Sequence, residues 1–154
     1  MKKQTLSELT TVEEVLDHVA AFDRAAHDFY SDLLLKVSKK IRYIVEELAH
    51  AELTHIRMLQ DLRENPEVIA HIHDAMTRPQ ADHRFSDAIH TPDLGEHPDD
   101  QAVLQYALAR EQLAIEEYSE LAELTPPGPL HDVFQFLANE ERKHKAETER
   151  LYYE

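Results

Sequence analysis

Four long segments of the chain repeat apolar residues at the three- and four-residue spacing of an α-helix. They cover about residues 11–37, 39–63, 99–124 and 130–151. Each segment therefore carries an apolar stripe that has to be buried against another element. The four stripes predict an all-α protein in which long helices share one core.

The connections between these segments differ in kind. A tight turn around Ser38 joins the first two, and the helix-breaking sequence TPPGP at 125–129 joins the last two. Residues 64–99 form a long crossover with four prolines, in which Asn65 and Pro66 predict the start of a short helix. This order predicts a four-helix bundle of two helical hairpins, built as a single domain over residues 1–154.

Composition excludes several classes of function for this chain. The chain has 154 residues, only 2 glycines and no cysteine, so helices are favoured and thiolate metal sites within this chain are excluded. A formal net charge of −15 disfavours binding to nucleic acid or to anionic membranes. The N-terminal sequence shows no signal peptide, and the chain shows no apolar run long enough for a membrane span, which predicts a cytoplasmic protein.

An internal repeat relates the two hairpins. Residues 22–33 (FDRAAHDFYSDL) align with 110–121 (REQLAIEEYSEL), and residues 48–55 (LAHAELTH) align with 137–144 (LANEERKH). The repeat predicts an approximate two-fold axis through the bundle. It pairs Asp23 with Glu111, Tyr30 with Tyr118, Glu52 with Glu141, and His55 with His144.

Polar residues interrupt each apolar stripe at matching places. Each stripe contains one carboxylate, and the second and fourth stripes add a histidine three residues later, on the same helix face. Uncompensated buried carboxylates are unfavourable by several kcal/mol each, and two divalent cations would neutralise four of them. Oxygen and imidazole ligands suit iron or manganese, with zinc as a competitor. The six candidate ligands are Asp23, Glu52, His55, Glu111, Glu141 and His144. A metal-free, hydrogen-bonded polar core is the alternative.

The motifs together resemble the ferritin-like superfamily and, within it, the rubrerythrin family of di-iron carboxylate proteins. The resemblance is carried by D-x6-Y at 23–30, E-x6-Y at 111–118 and the two Glu-x-x-His helices. It implies a ferritin-like four-helix bundle that holds two iron ions. Glu52 and Glu141 would bridge the metals, Asp23 and Glu111 would be terminal ligands, and His55 and His144 would complete the set.

Three features depart from the family pattern. Asp23 stands where rubrerythrins usually have the longer Glu, and Ala114 stands where they usually have a further Glu. No rubredoxin domain is present in this chain, so electrons would come from an external donor. Tyr30 and Tyr118 are predicted to hydrogen-bond ligand carboxylates, with aromatic core packing as the alternative.

The resemblance implies a dinuclear non-haem oxidoreductase that reduces peroxide or dioxygen, as a homodimer. Two alternatives remain: an iron- or zinc-binding or storage protein, ferroxidase-like but without peroxidase turnover, and a helical interaction module without metal chemistry. The remaining polar candidates, including a third Glu-x-x-His, are predicted to be mainly surface residues. They are Glu47, His50, Glu140, His27, His71, His73, His83, His90 and His97.

Overall fold

Four long helices form a bundle of two hairpins in a computed structural model, which describes residues 9–77 and 92–154. The first hairpin consists of α1 (Val12–Leu33) and α2 (Lys39–Glu64). The second consists of α4 (Asp100–Leu124) and α5 (Pro129–Tyr152). The short helix α3 (Pro66–Ile69) follows α2. The prediction of an all-α bundle is thus confirmed.

A small β-ribbon accompanies the helices. β1 (Leu9–Thr11) pairs antiparallel with β2 (Ala75–Thr77), which lies in the crossover. The ribbon was not predicted, because three-residue strands are too short to show an alternating apolar pattern. The pairing ties the start of α1 to the crossover.

Polar side chains mark several helix starts. The Thr11 hydroxyl accepts a hydrogen bond from the backbone N–H of Glu14 at 3.1 Å, which caps α1. The Asn65 side chain accepts one from the N–H of Glu67 at 2.9 Å at the start of α3. Asp99 occupies the N-cap position of α4, but its side chain makes no capping hydrogen bond.

Two apolar clusters fill the two ends of the bundle. One contains the start of α1, the end of α2, the end of α4 and the start of α5, represented by Leu16, Leu59, Leu121 and Phe134. The other contains the opposite helix ends, represented by Tyr30, Ile44, Leu104 and Leu151. Since α2 ends in the first cluster and α4 begins in the second, the crossover spans the length of the bundle.

Some predicted boundaries were wrong. The first helix ends at Leu33 rather than near 37, although Val37 is buried as predicted. The apolar spacing of α4 predicts that Leu108 and Ile115 are buried, but both are partly exposed, and Ala114 is buried instead. Apolar residues surround much of α4, so its periodicity alone was ambiguous.

Part of the predicted crossover, residues 78–91, lies outside the described residues, and this part includes Pro79, His83 and His90. Within the described ranges, no helix has both the length and the apolar character that a membrane crossing requires.

Candidate metal centre

A belt of ionisable side chains lies at mid-height in the bundle, between the two apolar clusters. On each long helix these residues fall between the last core residue of one cluster and the first of the other. We call this set the polar belt. It comprises Asp23, Glu52, His55, Arg110, Glu111, Glu141 and His144.

All six predicted ligands lie in this belt. The exposed fraction is at most 2% for the four carboxylates and for His55, while His144 is partly exposed. Helical phase explains this burial, because each carboxylate occupies a position where the stripe of its helix faces the bundle axis.

The closest group of candidate ligands comes from the first hairpin. Asp23, Glu52 and His55 each offer a ligand atom, and these atoms all lie within 4.8 Å of one another. We call this trio the Asp23 half of the belt. Its one imidazole and two carboxylates are donors that a single divalent ion accepts.

The second hairpin supplies a looser group. Glu111, Glu141 and His144, which we call the Glu111 half, do not converge as closely as the first trio within the described residues. Glu141 connects the halves, because its Oε1 lies 3.4 Å from Nδ1 of His55. The rings of His55 and His144 are 6.4 Å apart between centroids.

Arg110 is a component of the belt that the sequence analysis missed. Its Nη2 donates hydrogen bonds to Asp23 Oδ1 and to Glu52 Oε2, both at 2.9 Å. Its guanidinium carbon lies 3.7 Å from the ring centroid of Phe22, and the side chain is 3% exposed. The repeat contained the signal, because it aligns Arg110 with Phe22, a core position.

Hydroxyl groups hold two of the predicted ligands. Tyr118 donates its hydroxyl to the carboxylate of Asp23, with oxygen distances of 2.7 and 2.9 Å. The Thr148 hydroxyl lies 3.1 Å from Glu111 Oε1 and donates to it or to the His144 carbonyl at 2.8 Å. The hydroxyl of Tyr30, by contrast, has no hydrogen-bond partner within the described chain. Its ring packs against Phe29 and Tyr106.

Burial controls the protonation of the belt. Desolvation raises the pKa of Glu111 to about 8 and that of Glu141 to about 7, and it raises the pKa of Glu52 well above its usual value. Desolvation also lowers the pKa of His55 to about 4. Arg110 opposes the shift on the carboxylates. The imidazoles are therefore neutral near pH 7, which is the form that binds metals.

Several buried carboxylate oxygens and imidazole nitrogens in the belt lack hydrogen-bond partners among the described residues. These atoms belong mainly to the Glu111 half, where Arg110 makes no hydrogen bond. In a metal-free polar core, we would expect such buried atoms to be paired by hydrogen bonds. Since carboxylate oxygens and imidazole nitrogens are the donors that iron and manganese prefer, the residues fit a metal pair. The atoms are both oxygens of Glu141, Oε2 of Glu111, and Nδ1 of His55 and of His144, while Nε and Nη1 of Arg110 also lack a hydrogen-bond partner.

The other polar candidates lie mostly outside the belt. Glu47 and His50 are exposed, and so are His71, His73 and His97, as predicted. Glu140 forms an ion pair with Lys143 at 3.3 Å. The expectation of an exposed His27 was wrong. This ring is part-buried, with Nδ1 2.8 Å from the carbonyl oxygen of Ala49, and Glu117 is a further buried acid that was not predicted.

Comparisons with protein-family models, with curated proteins and with solved structures found no match for this chain. The resemblance to the rubrerythrin family therefore stays a prediction that rests on the motif residues. The identification of the candidate centre depends on the geometry and the chemistry of its side chains.

Proposed function

We propose that the protein is a dinuclear non-haem oxidoreductase of rubrerythrin type, on a ferritin-like bundle. It would reduce peroxide or dioxygen with electrons from an external donor. The observation that carries this proposal is the set of buried carboxylate and imidazole atoms without partners, at the centre of the bundle. Leaving such atoms unpaired in a dry interior is unfavourable unless a cation binds them.

Each belt residue has a role in this proposal. Glu52 on α2 and Glu141 on α5 would bridge two metal ions. Asp23 and Glu111 would be terminal ligands, oriented by Tyr118 and, where its hydroxyl points that way, by Thr148. The histidines His55 and His144 would complete the set.

Two reduced irons, when bound, would supply the two electrons that the reduction of a peroxide requires. The protein side chains would hold them in position and compensate their charge. The apolar clusters above and below the belt limit the access of water, which strengthens the electrostatic interactions between the ligands and the ions. Manganese or zinc would fit the same donors.

Metal binding without turnover is the second candidate function, and Arg110 favours it. Its guanidinium group already neutralises part of the charge on Asp23 and Glu52, so the site needs less metal charge than four carboxylates alone. An iron- or zinc-binding or storage protein, ferroxidase-like at most, would need the binding but no peroxidase turnover.

The test is anaerobic loading with Fe²⁺, followed by metal counting and stopped-flow mixing with peroxide and with dioxygen in parallel. We expect two irons per chain and faster oxidation by peroxide. Glu141→Gln should lose most of the binding, because it removes a charge from a fully buried carboxylate. Glu47→Gln is the matched control on the exposed surface of the preceding hairpin and should behave as the wild type.

The outcomes separate the candidates. Tight binding without oxidation by either reagent would favour the second candidate function. Much faster oxidation by dioxygen would contradict the peroxidase assignment and favour ferroxidase activity. Equal behaviour of Glu141→Gln and Glu47→Gln would refute a metal site in the belt and leave the interaction module. Light scattering would distinguish the proposed homodimer from a storage shell.

A further inference from the structure

Arg110 breaks the two-fold symmetry of the repeat at the centre of the belt. The alignment that pairs Asp23 with Glu111 also pairs Phe22 with Arg110, so equivalent positions carry an apolar ring and a cation. The two side chains contact each other, with the guanidinium carbon 3.7 Å from the ring centroid. The two halves of the belt are therefore chemically different although their ligand types match.

The hydrogen bonds of Arg110 favour one half. Its Nη2 contacts Asp23 and Glu52 at 2.9 Å each, so both carboxylates of the Asp23 half already have a cationic partner. In the Glu111 half, both oxygens of Glu141 and one of Glu111 accept no hydrogen bond within the described chain, although Oε1 of Glu141 lies 3.4 Å from Nδ1 of His55. Charge-assisted hydrogen bonds are stronger than neutral ones. A metal ion that binds Asp23 and Glu52 therefore has to displace Arg110 from two strong hydrogen bonds.

Charge balance points the same way. Four ionised carboxylates carry −4, and two divalent ions neutralise them fully. With the permanent charge of Arg110 added, two divalent ions leave the belt at +1, in an interior where an uncompensated charge is unfavourable. One divalent ion together with Arg110 leaves −1, so Arg110 already supplies part of the positive charge that a second ion would otherwise provide at Asp23 and Glu52.

We propose that Arg110 makes the two metal positions unequal. The first ion draws together the ligands of the Glu111 half, which lie further apart than those of the Asp23 half, and the second ion binds in the Asp23 half only after Arg110 leaves Asp23 and Glu52. This inference rests on the proposed metal centre, and it assigns to Arg110 the role of an internal cation that competes with the second metal. Loss of its two hydrogen bonds to charged groups should weaken the second binding step on the order of 100-fold or more relative to the first.

The test is calorimetric titration of the chelator-treated full chain with Mn²⁺, combined with native mass spectrometry to count the bound ions. The wild type should show one tight step, followed by a step at least about 100-fold weaker. Arg110→Gln, which removes the charge but keeps hydrogen-bonding groups, should bring the two steps to within about 10-fold of each other. Arg110→Met is a second variant without hydrogen-bonding groups.

Arg63→Gln is the matched control. Arg63 also binds two carboxylates, Glu13 and Asp17, but it does so at the end of α2 and away from the belt. This variant should keep the wild-type separation between the two steps. Circular dichroism of each apo-variant verifies that the chain is folded before the titration.

Two histidine variants identify the half that fills first. His144→Ala should remove the tight step, whereas His55→Ala should remove only the weak one. The proposal is overturned if Arg110→Gln and the wild type show the same two steps, or if His55→Ala removes the tight step. Both of those results would leave the metal centre intact. Absence of Mn²⁺ and Fe²⁺ binding in every folded form would instead refute the proposed function, and this inference with it.

Discussion

At the residue scale, the hydroxyl of Tyr118 is the clearest example of a side chain that positions a buried carboxylate. It donates to Asp23, which is also bound by Arg110, so the aspartate has two donors in an interior with little water. An aspartate side chain is shorter than a glutamate side chain. It suffices here because Tyr118 and Arg110 extend from α4 to contact the Asp23 carboxylate. Tyr30, its counterpart in the repeat, has no such contact within the described chain.

Because the two tyrosines differ in this contact, replacing each of them by phenylalanine gives a matched pair of variants. Tyr118→Phe should destabilise the apo-protein by about 1–3 kcal/mol, because Asp23 loses a buried hydrogen-bond donor. Tyr30→Phe removes a hydroxyl without a partner and should be close to neutral. Urea unfolding of both variants at the same pH measures the free energy of unfolding. Equal losses would show that ring packing, and not the hydrogen bond to Asp23, explains the role of Tyr118.

At the element scale, α1 begins where one side chain and two backbone carbonyl oxygens, those of Ile72 and Asp74, accept hydrogen bonds from its first N–H groups. Thr11 lies at the junction of β1 and α1, and its hydroxyl accepts from the N–H of Glu14. The junction positions the whole of α1, including Asp23 three turns further along the helix.

The cap should therefore contribute measurably to stability. Thr11→Ala should lower the free energy of unfolding by about 1 kcal/mol, because the N–H of Glu14 loses its acceptor. Thr11→Ser keeps the hydroxyl and should be close to neutral, because serine is at least as good an N-cap residue as threonine. Thermal or urea unfolding compares the two. If both variants lose the same amount, the methyl group of Thr11 rather than the cap is responsible.

At the scale of the whole molecule, the polar belt between the two apolar clusters makes the stability of the apo-protein depend on pH. Glu111 and Glu141 have pKa values of about 8 and about 7 in the folded protein, against an ordinary value of 4.5. Near neutral pH the folded apo-protein holds protons that the unfolded chain has released. Raising the pH through these folded pKa values removes that stabilisation.

The apo-protein should therefore melt at a lower temperature at pH 8.5 than at pH 6.5. His55 has the opposite effect on stability, but only below about pH 6.5. Its pKa falls from an ordinary value of 6.5 to about 4 in the folded protein. Saturation with Mn²⁺ should remove or reverse the trend between pH 6.5 and 8.5, since metal binding favours ionised carboxylates. Calorimetric melting of the apo- and Mn²⁺-treated forms tests this. An apo-protein whose melting temperature rises over that range would contradict the assignment of protonated carboxyl groups.

Sequence by itself determined the four helices, the two hairpins and the six inward-facing polar residues, because these follow from helical periodicity and from the repeat. Helix ends and the β-ribbon depended on local backbone pairing, which periodicity does not record. Tertiary structure alone decided the contacts of Arg110. A residue number places this side chain next to Glu111 on α4, but only the packing of α1 and α2 against α4 brings it to Asp23 and Glu52. The sequence thus determined which charges enter the core, and the packing decided which of them neutralise each other.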